Sequence, residues 1–488
     1  MSDLQANVQE TKDGFHVEGY EKIEYDFTFV DGIFDIANSN LANCYKKWGR
    51  VLAVTDKNVY GIYGTKMKNY FDHYNLQLKV HQTSIGEKAK TIETFLEIAD
   101  SMTEFGIIRK EPVLVVGGGL VTDVAGFACA AYRRNTNFIR VPTTVIGLID
   151  ASVSIKVAVN YGRYKNRLGA YHAPLHTFLD FTFLRTLPIS QVRNGFAELI
   201  KISSCSHTHV FDLLDKFCEQ LIETKFGRAD GSTAEIRRAA DLINREGIFE
   251  MLKLESPNLH EIGLDRVIAY GHTWSPLHEL IPETPLRHGH AISIDMAYSA
   301  TLAKERGLLS EKEHRRLFGL FSRAGLSIDH PQFDNEVLEK GTAAILKTRD
   351  GLLRLAVPSP LGSCVFLNDV SVKDLKDALK KHKEVAKTYP RQGAGIEAYV
   401  DSSDTGYTDL EAENMSVQKN VKEAGVFHEN NGIIDGIHDH GKANGHKRQD
   451  SGCQLINDSG IDDHPDQYLI NLSDVPVNEA PNGIKAQA

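Results

Sequence analysis

Apolar residues along this chain follow two different rhythms. From Phe27 to about Leu184, short continuous apolar runs alternate with helical spacing, as in Val51-Leu-Ala-Val-Thr55, Val113-Leu-Val-Val116 and Phe138-Ile-Arg-Val141. Each run closes on a polar or glycine turn, which is the pattern of strands buried on both faces of a parallel sheet. From Pro188 to about Lys387 the period becomes mostly helical. Ala234 to Leu252 and Asp295 to Arg306 repeat apolar residues at helical spacing, with Pro257, Pro276 and Pro282 in the connections. The expected fold class is α/β: a Rossmann-like domain over residues 1–187, then a mostly α-helical domain over residues 188–387.

After Lys387 both rhythms stop. Gly, Asn, Asp, Ser and His dominate, as in His438-Asp-His-Gly-Lys-Ala-Asn-Gly-His446. A segment of this kind buries too little apolar surface to offset its ordering entropy, so residues 388–488 are expected to be a disordered acidic tail. Its histidines read as solvated rather than metal-binding. The tail also carries the charge: the 488 residues have a formal net charge of −10, and the part after Lys387 holds about 17 acidic and about 7 basic residues. The body is therefore near neutral, with no basic footprint for nucleic acid. The six cysteines show no C-x-x-C spacing, which points to a reducing compartment without a cysteine zinc site. Residues 1–10 are polar, and no apolar run approaches the ~20 residues of a membrane span. The expected location is the cytoplasm.

Three stretches carry candidate chemistry. Val113-Leu-Val-Val-Gly-Gly-Gly-Leu-Val-Thr-Asp123 reads as a strand, a glycine turn and a helix start. Glycines let backbone approach a pyrophosphate, and helix-terminal amides favour its charge. The run is not G-x-G-x-x-G, so a ligand-free turn would read the same way. In Phe196-Ala-Glu-Leu-Ile-Lys201, Glu198 and Lys201 share one helix face, as a surface ion pair also would. His272, in Gly271-His-Thr-Trp, and His288, in Arg287-His-Gly-His290, supply imidazoles that could join Glu198 as a three-ligand catalytic metal set with an open position. Spacing alone leaves His290 as a rival to His288.

These residues, in this order, resemble the dehydroquinate synthase superfamily and, within it, the sugar phosphate cyclases that act on sedoheptulose 7-phosphate. The resemblance runs from about Phe27 to Lys387. It includes Gly86-Glu87-x-x-Lys90, the Arg140-Val-Pro-Thr-Thr144 strand end, Asp150, Lys156 and the Lys165-Asn166 to Tyr171 run. It implies that Asp56, Glu87, Lys90, Gly118, Gly119, Asp123, Thr143, Thr144 and Lys165 hold NAD. It implies Glu198, His272 and His288 as ligands of zinc, with cobalt the alternative. Asp150, Lys156, Asn166 and Lys201 would line the substrate site, and Arg134 would reach a neighbouring subunit's phosphate in a homodimer.

Two departures matter. Dehydroquinate synthases resemble one another in a second histidine four residues after the GH pair and an asparagine three residues before the metal histidine. Here those positions are Pro276 and Ala269, which argues against a dehydroquinate substrate. At three positions, that of Ala269 among them, the 2-epi-5-epi-valiolone synthases carry leucine, aspartate and histidine, whereas enzymes of the desmethyl-4-deoxygadusol type carry glutamate, alanine and threonine. This chain has Glu255, Ala269 and Thr348. The implied reaction oxidises a secondary alcohol with NAD, eliminates phosphate, returns the hydride, opens the ring and closes a carbocycle by aldol addition, with one further dehydration. Lys156 and Lys201 would stabilise charge, Glu255 would assist the dehydration, and an O-methyltransferase would take the product toward mycosporine-type ultraviolet screens. A glycerol-type metal-dependent alcohol dehydrogenase is the alternative of another class.

Overall fold

The computed structural model describes residues 4–84, 86, 90–162, 164–401 and 404. In the N-terminal half the order is β1 (Leu4–Thr11), β2 (Gly14–Glu21), β3 (Asp26–Val30), α1 (Asn40–Tyr45), β4 (Arg50–Asp56), α2 (Lys57–His73), β5 (Gln77–Thr83), α3 (Ile92–Phe105), β6 (Val113–Gly117), α4 (Gly119–Ala131), β7 (Phe138–Pro142), β8 (Lys156–Tyr161), β9 (Tyr164–Tyr171) and β10 (His176–Asp180). The helical part follows with α5 (Ile189–Ser206), α6 (Thr208–Glu223), α7 (Ala234–Glu255), α8 (Ser275–His278), α9 (His288–Glu305), α10 (Glu311–Arg323), α11 (Asn335–Thr348), β11 (Leu355–Pro358), β12 (Cys364–Leu367) and α12 (Val372–Ala386).

Six strands form one parallel sheet in the order β3-β10-β7-β6-β4-β5. Alternation splits the apolar run of β6 between two cores. Leu114 and Val116 join Phe34, Tyr70 and Phe71 on one face, while Val113 and Val115 join Ile98, Met102 and Ala125 on the other. Strand order switches direction between β4, which leads outward to β5, and β6, which leads toward β7. A switch of this kind opens a crevice at the carboxyl ends of the strands, here Asp56, Gly117 and Pro142. The hairpins β1–β2 and β8–β9 lie outside this sheet and were not anticipated from the sequence.

In the helical part, α5 is buried without interruption from Asn194 to Cys205, and α9 from Gly289 to Ala303. A helix buried all round is a core helix, and any charge on it needs a partner. Glu198 and Lys201 are such charges.

The ordered body runs past Lys387. Residues 388–401 and Asp404 turn back onto the helical part: the Ile396 N–H donates to the Gly325 carbonyl and the Arg287 N–H to the Ala398 carbonyl, both at 2.8 Å. Composition placed the end of the body at Lys387, whereas the described residues continue through 401 and Asp404, held by these main-chain bonds together with Tyr389 and Ala398 packed against the core. The expectation for the rest of the tail lies outside the described residues. Among the described residues no helix is long and apolar enough to cross a membrane.

Candidate active site

A cavity of about 1210 Å³ opens over the carboxyl ends of β4, β6 and β7 and extends to the helical part. Asp56, Lys90, Gly118, Gly119, Asp123, Thr143, Thr144 and Lys165 all line it, as does the group Asp150, Lys156, Asn166, His272 and His288. Glu87 lies outside the described residues. Asp56 caps α2 by accepting from the Val59 N–H at 2.8 Å. Lys90 and Asp123 pair at 2.6 Å. Gly118 caps α4 with no side-chain hydrogen bond, so the first amides of that helix and the positive end of its dipole are available to an anion. This is the fit a dinucleotide pyrophosphate requires.

The carboxylate and two imidazoles converge from three elements. Glu198 projects from α5, His288 opens α9, and His272 sits in the turn between Ala269 and α8. Their ligand atoms lie within 4.8 Å of one another. Glu198 Oε1 is 3.0 Å from His288 Nε2 and 3.8 Å from His272 Nε2. The other nitrogen of each ring already faces an oxygen: His272 Nδ1 is 3.2 Å from the Tyr270 carbonyl, and His288 Nδ1 is 3.2 Å from Glu279 Oε2. With a proton on each Nδ1, both Nε2 lone pairs point at the common centre, as metal ligands need. The donor set and its orientation fit a divalent metal.

Close backbone approach makes this geometry. A Cβ on Gly289 would lie 2.6 Å from Asn194 Cα, so only glycine lets α9 start against α5 and brings His288 to Glu198. Gly271 has a φ of +75° and a Cβ there would meet Met296 Cγ at 2.5 Å. That turn aims His272. His290, the rival imidazole, is buried away from the centre against the Ser327 hydroxyl at 3.0 Å.

Lys201 Nζ lies 2.6 Å from Glu198 Oε2 and 3.6 Å from Asp150 Oδ2. Burial opposes its charge, but Asp150 and Glu198 outweigh it and raise the ammonium above its ordinary value. Burial likewise works against Glu198, yet Lys201 and the two imidazoles hold its carboxyl far below the usual range. Asp150 sits in a π-turn, Gly147–Ala151, and is raised by burial despite Lys201. Further out, Lys156 Nζ is 2.9 Å from Glu261 Oε1 and 3.5 Å from Glu255 Oε1. Arg266 shares Glu261 at 2.5 Å. Burial raises the Glu255 carboxyl, with Lys156 pulling the other way. Arg140, fully buried, donates to the Ser152 and Ser154 carbonyls at 3.4 and 2.7 Å and so fixes the loop between Asp150 and Lys156.

Not every expected residue meets the cavity. Arg134 is exposed at the far end of α4. Ala269 is buried behind His272, whose N–H donates to its carbonyl at 2.9 Å. Thr348 is exposed, with its hydroxyl donating to the Ala344 and Ile345 carbonyls of its own helix at 2.9 and 3.3 Å. Of the three positions that separate the enzyme types, only Glu255 reaches another site side chain. Sequence reasoning missed Glu279, which bridges Lys165 at 2.6 Å and His288. Its carboxyl is held down to about 2: burial opposes this, and the His288 and Lys165 contacts prevail. It also missed Glu261. Glu279 lies seven residues after His272 with no local signal of its own.

The 3-dehydroquinate synthase N-terminal model matches residues 80–194, and the corresponding C-terminal model matches residues 195–346. The chain belongs to the 3-dehydroquinate synthase family. It is 55% identical over 399 residues to the demethyl-4-deoxygadusol synthase of Trichormus variabilis, covering 82% of this chain and 97% of that one. A 2-epi-5-epi-valiolone synthase of Actinomyces sp. is 36% identical, covering 76% and 98% of the two chains. Among solved structures, the 2-epi-5-epi-valiolone synthase of Streptomyces hygroscopicus subsp. jinggangensis with NAD+ and Zn2+ bound superposes with a TM-score of 0.71 at 35% identity, covering 76% of this chain and 99% of that one. A 2-deoxy-scyllo-inosose synthase shares the fold at 22% identity, with a TM-score of 0.61 over 77% of this chain and 99% of that one.

Proposed function

We propose that this chain is an NAD- and divalent-metal-dependent sugar phosphate cyclase that converts sedoheptulose 7-phosphate to desmethyl-4-deoxygadusol, the demethyl-4-deoxygadusol of its Trichormus relative, with loss of phosphate and water. The observation that carries the reading is one cavity lined by the glycine turn, by His272 and His288 of the centre they form with buried Glu198, and by Lys156 and Lys165. The first argues for a dinucleotide, the second for an oxidisable alcohol, and the third for a phosphate.

When bound, the metal would polarise a substrate hydroxyl and NAD would take up and later return a hydride. The chain's own residues do the rest. Lys201 remains an ammonium at neutral pH because two carboxylates flank it, and it stabilises negative charge on a substrate oxygen beside the metal centre. Lys156 lines the cavity further out, where it binds the phosphate and stabilises it as it leaves. Glu255, raised by burial, holds a proton at its carboxyl more readily than a solvated glutamate and can deliver it to the departing hydroxyl of the last dehydration. Asp150 and Asn166 orient the sugar hydroxyls.

The test is a stoichiometry. Incubated with sedoheptulose 7-phosphate, zinc and NAD below the substrate concentration, the protein should release phosphate over many turnovers with no lasting rise of NADH absorbance. NADH formed in proportion to substrate would instead mean a glycerol-type dehydrogenase. A second reading, a 2-epi-5-epi-valiolone synthase, is supported by one observation: Ala269 and Thr348 do not line the cavity, so of the three positions that separate the enzyme types only Glu255 stands beside a lining residue, Lys156.

The proposal extends to zinc with cobalt as substitute, to a cytoplasmic homodimer, and to an O-methyltransferase acting next toward mycosporine-type screens. The exposed Arg134 supports a role across a subunit boundary. Light scattering that reads a single-chain mass at the assay concentration would overturn the dimer.

A further inference from the structure

Residues 394–401 and Asp404 cross the start of α9 immediately beside the metal-centre histidine. Leu286 and Tyr399 form an antiparallel bridge, and the Val400 N–H donates to the Pro285 carbonyl at 3.0 Å. Arg287, the residue before His288, is 2% exposed, and this segment surrounds its guanidinium. Nε donates to Asp404 Oδ2 at 2.9 Å, Nη2 to Asp401 Oδ2 at 2.5 Å, and Nη1 to the Glu397 carbonyl.

The second oxygen of Asp404 goes elsewhere. Its Oδ1 accepts from Gln191 Nε2 on α5. Gln191 Oε1 accepts from Asn194 Nδ2 at 3.0 Å, and Asn194 Oδ1 accepts from the Gly289 N–H at 2.8 Å. One carboxylate is therefore tied to the residue before His288 and, through two amides, to the residue after it. Asn194 lies one helical turn before Glu198 on the same face of α5. We propose that residues 394–401 and Asp404 are a positioning strap for the metal centre, in which Asp404 sets the spacing between the two helices that carry Glu198 and His288.

The physical case rests on burial and geometry. A buried guanidinium without its carboxylate is costly, so loss of Asp404 would let the Arg287 turn shift outward. A metal centre tolerates little displacement, and partners outside the ligand set commonly change its affinity by about 10–100-fold. Asp401 makes an ideal contrast. It touches the same guanidinium but is 56% exposed, against 11% for Asp404.

The inference rests on the three-ligand metal reading, and the experiment separates the two. Zinc dissociation constants are measured on the full-length protein by competition with a chromogenic chelator, with circular dichroism melts confirming folding. Asp404→Asn should weaken zinc binding about tenfold, Asp404→Glu should recover most of that loss, and Asp401→Asn should stay within about twofold of the parent. Gln191→Met cuts only the α5 side while leaving Arg287 neutralised, and should weaken binding by about fivefold, the worth of one hydrogen bond. It decides the matter if Asp404→Asn fails to fold. Zinc affinity unchanged in Asp404→Asn or Gln191→Met, or weakened equally by Asp401→Asn, would overturn the strap. A parent protein that binds no zinc would overturn the metal centre itself.

Discussion

At the end of the cavity with the proposed metal centre, each candidate ligand has a second fixed contact: His272 with the Tyr270 carbonyl, His288 with Glu279, and Glu198 with Lys201 on a buried helix. At the far end, Lys156 is 40% exposed and pairs with Glu255 and Glu261, and Arg266 pairs with Glu261 in turn. The first arrangement is rigid because close packing and hydrogen bonds over-determine it. The second balances charge among long side chains that hold mainly one another. A cyclase needs both, since one carbon must be oxidised and reduced at a fixed point while the rest of the substrate loses phosphate, opens and closes again.

The largest effect that would test this contrast is at the rigid end. His288→Ala should abolish zinc binding at micromolar concentration and lower turnover by about 10³-fold or more, taking several kcal/mol from the metal's contribution. Calorimetry and phosphate release check it, and turnover within tenfold of the parent would place the chemistry elsewhere. Lys201→Met should follow, with turnover down by about 10²–10³-fold. It should also lower the melting temperature, because Glu198 and Asp150 would keep buried charge without the ammonium. Glu279→Gln should weaken zinc binding about 10–100-fold by freeing the far side of the His288 ring. An unchanged affinity would remove Glu279 from the positioning role.

Effects at the far end should be smaller and differ in kind. Glu255→Gln should change the product more than the rate, leaving phosphate release within about tenfold of the parent while undehydrated cyclitol accumulates. If this variant, folded and NAD-bound, still yields only dehydrated product at the parent rate, Glu255 has no part in that step. Thr348→Ala should change least, within about twofold, because its hydroxyl serves its own helix. A shift of product spectrum in Thr348→Ala would show that this helix end reaches the substrate.

The two ends also differ in how far the sequence revealed them. The run through Gly119 was legible because strand, turn and helix start are adjacent in the chain and obey local rules. Glu198, His272 and His288 were legible as residue types, yet choosing His288 over His290 required the closeness of α9 to α5, which depends on Gly289 and Asn194, 95 residues apart. Glu279, Glu261, and Arg287 with Asp404 left no local trace, since each acts through a partner that only the fold brings near. Composition gave little sign of the order in residues 388–401 for a related reason: it averages apolar content and registers neither single anchors such as Tyr389 and Ala398 nor main-chain hydrogen bonds. The exposed position of Thr348 follows from where α11 ends against its neighbours, which helical periodicity alone does not fix.

The most direct measurement follows ultraviolet absorbance and product mass together as purified protein acts on sedoheptulose 7-phosphate with NAD and zinc. The account predicts an absorbing product one water lighter than 2-epi-5-epi-valiolone, formed as phosphate is released. Phosphate release with a non-absorbing, undehydrated cyclitol would contradict it and make the chain a valiolone synthase.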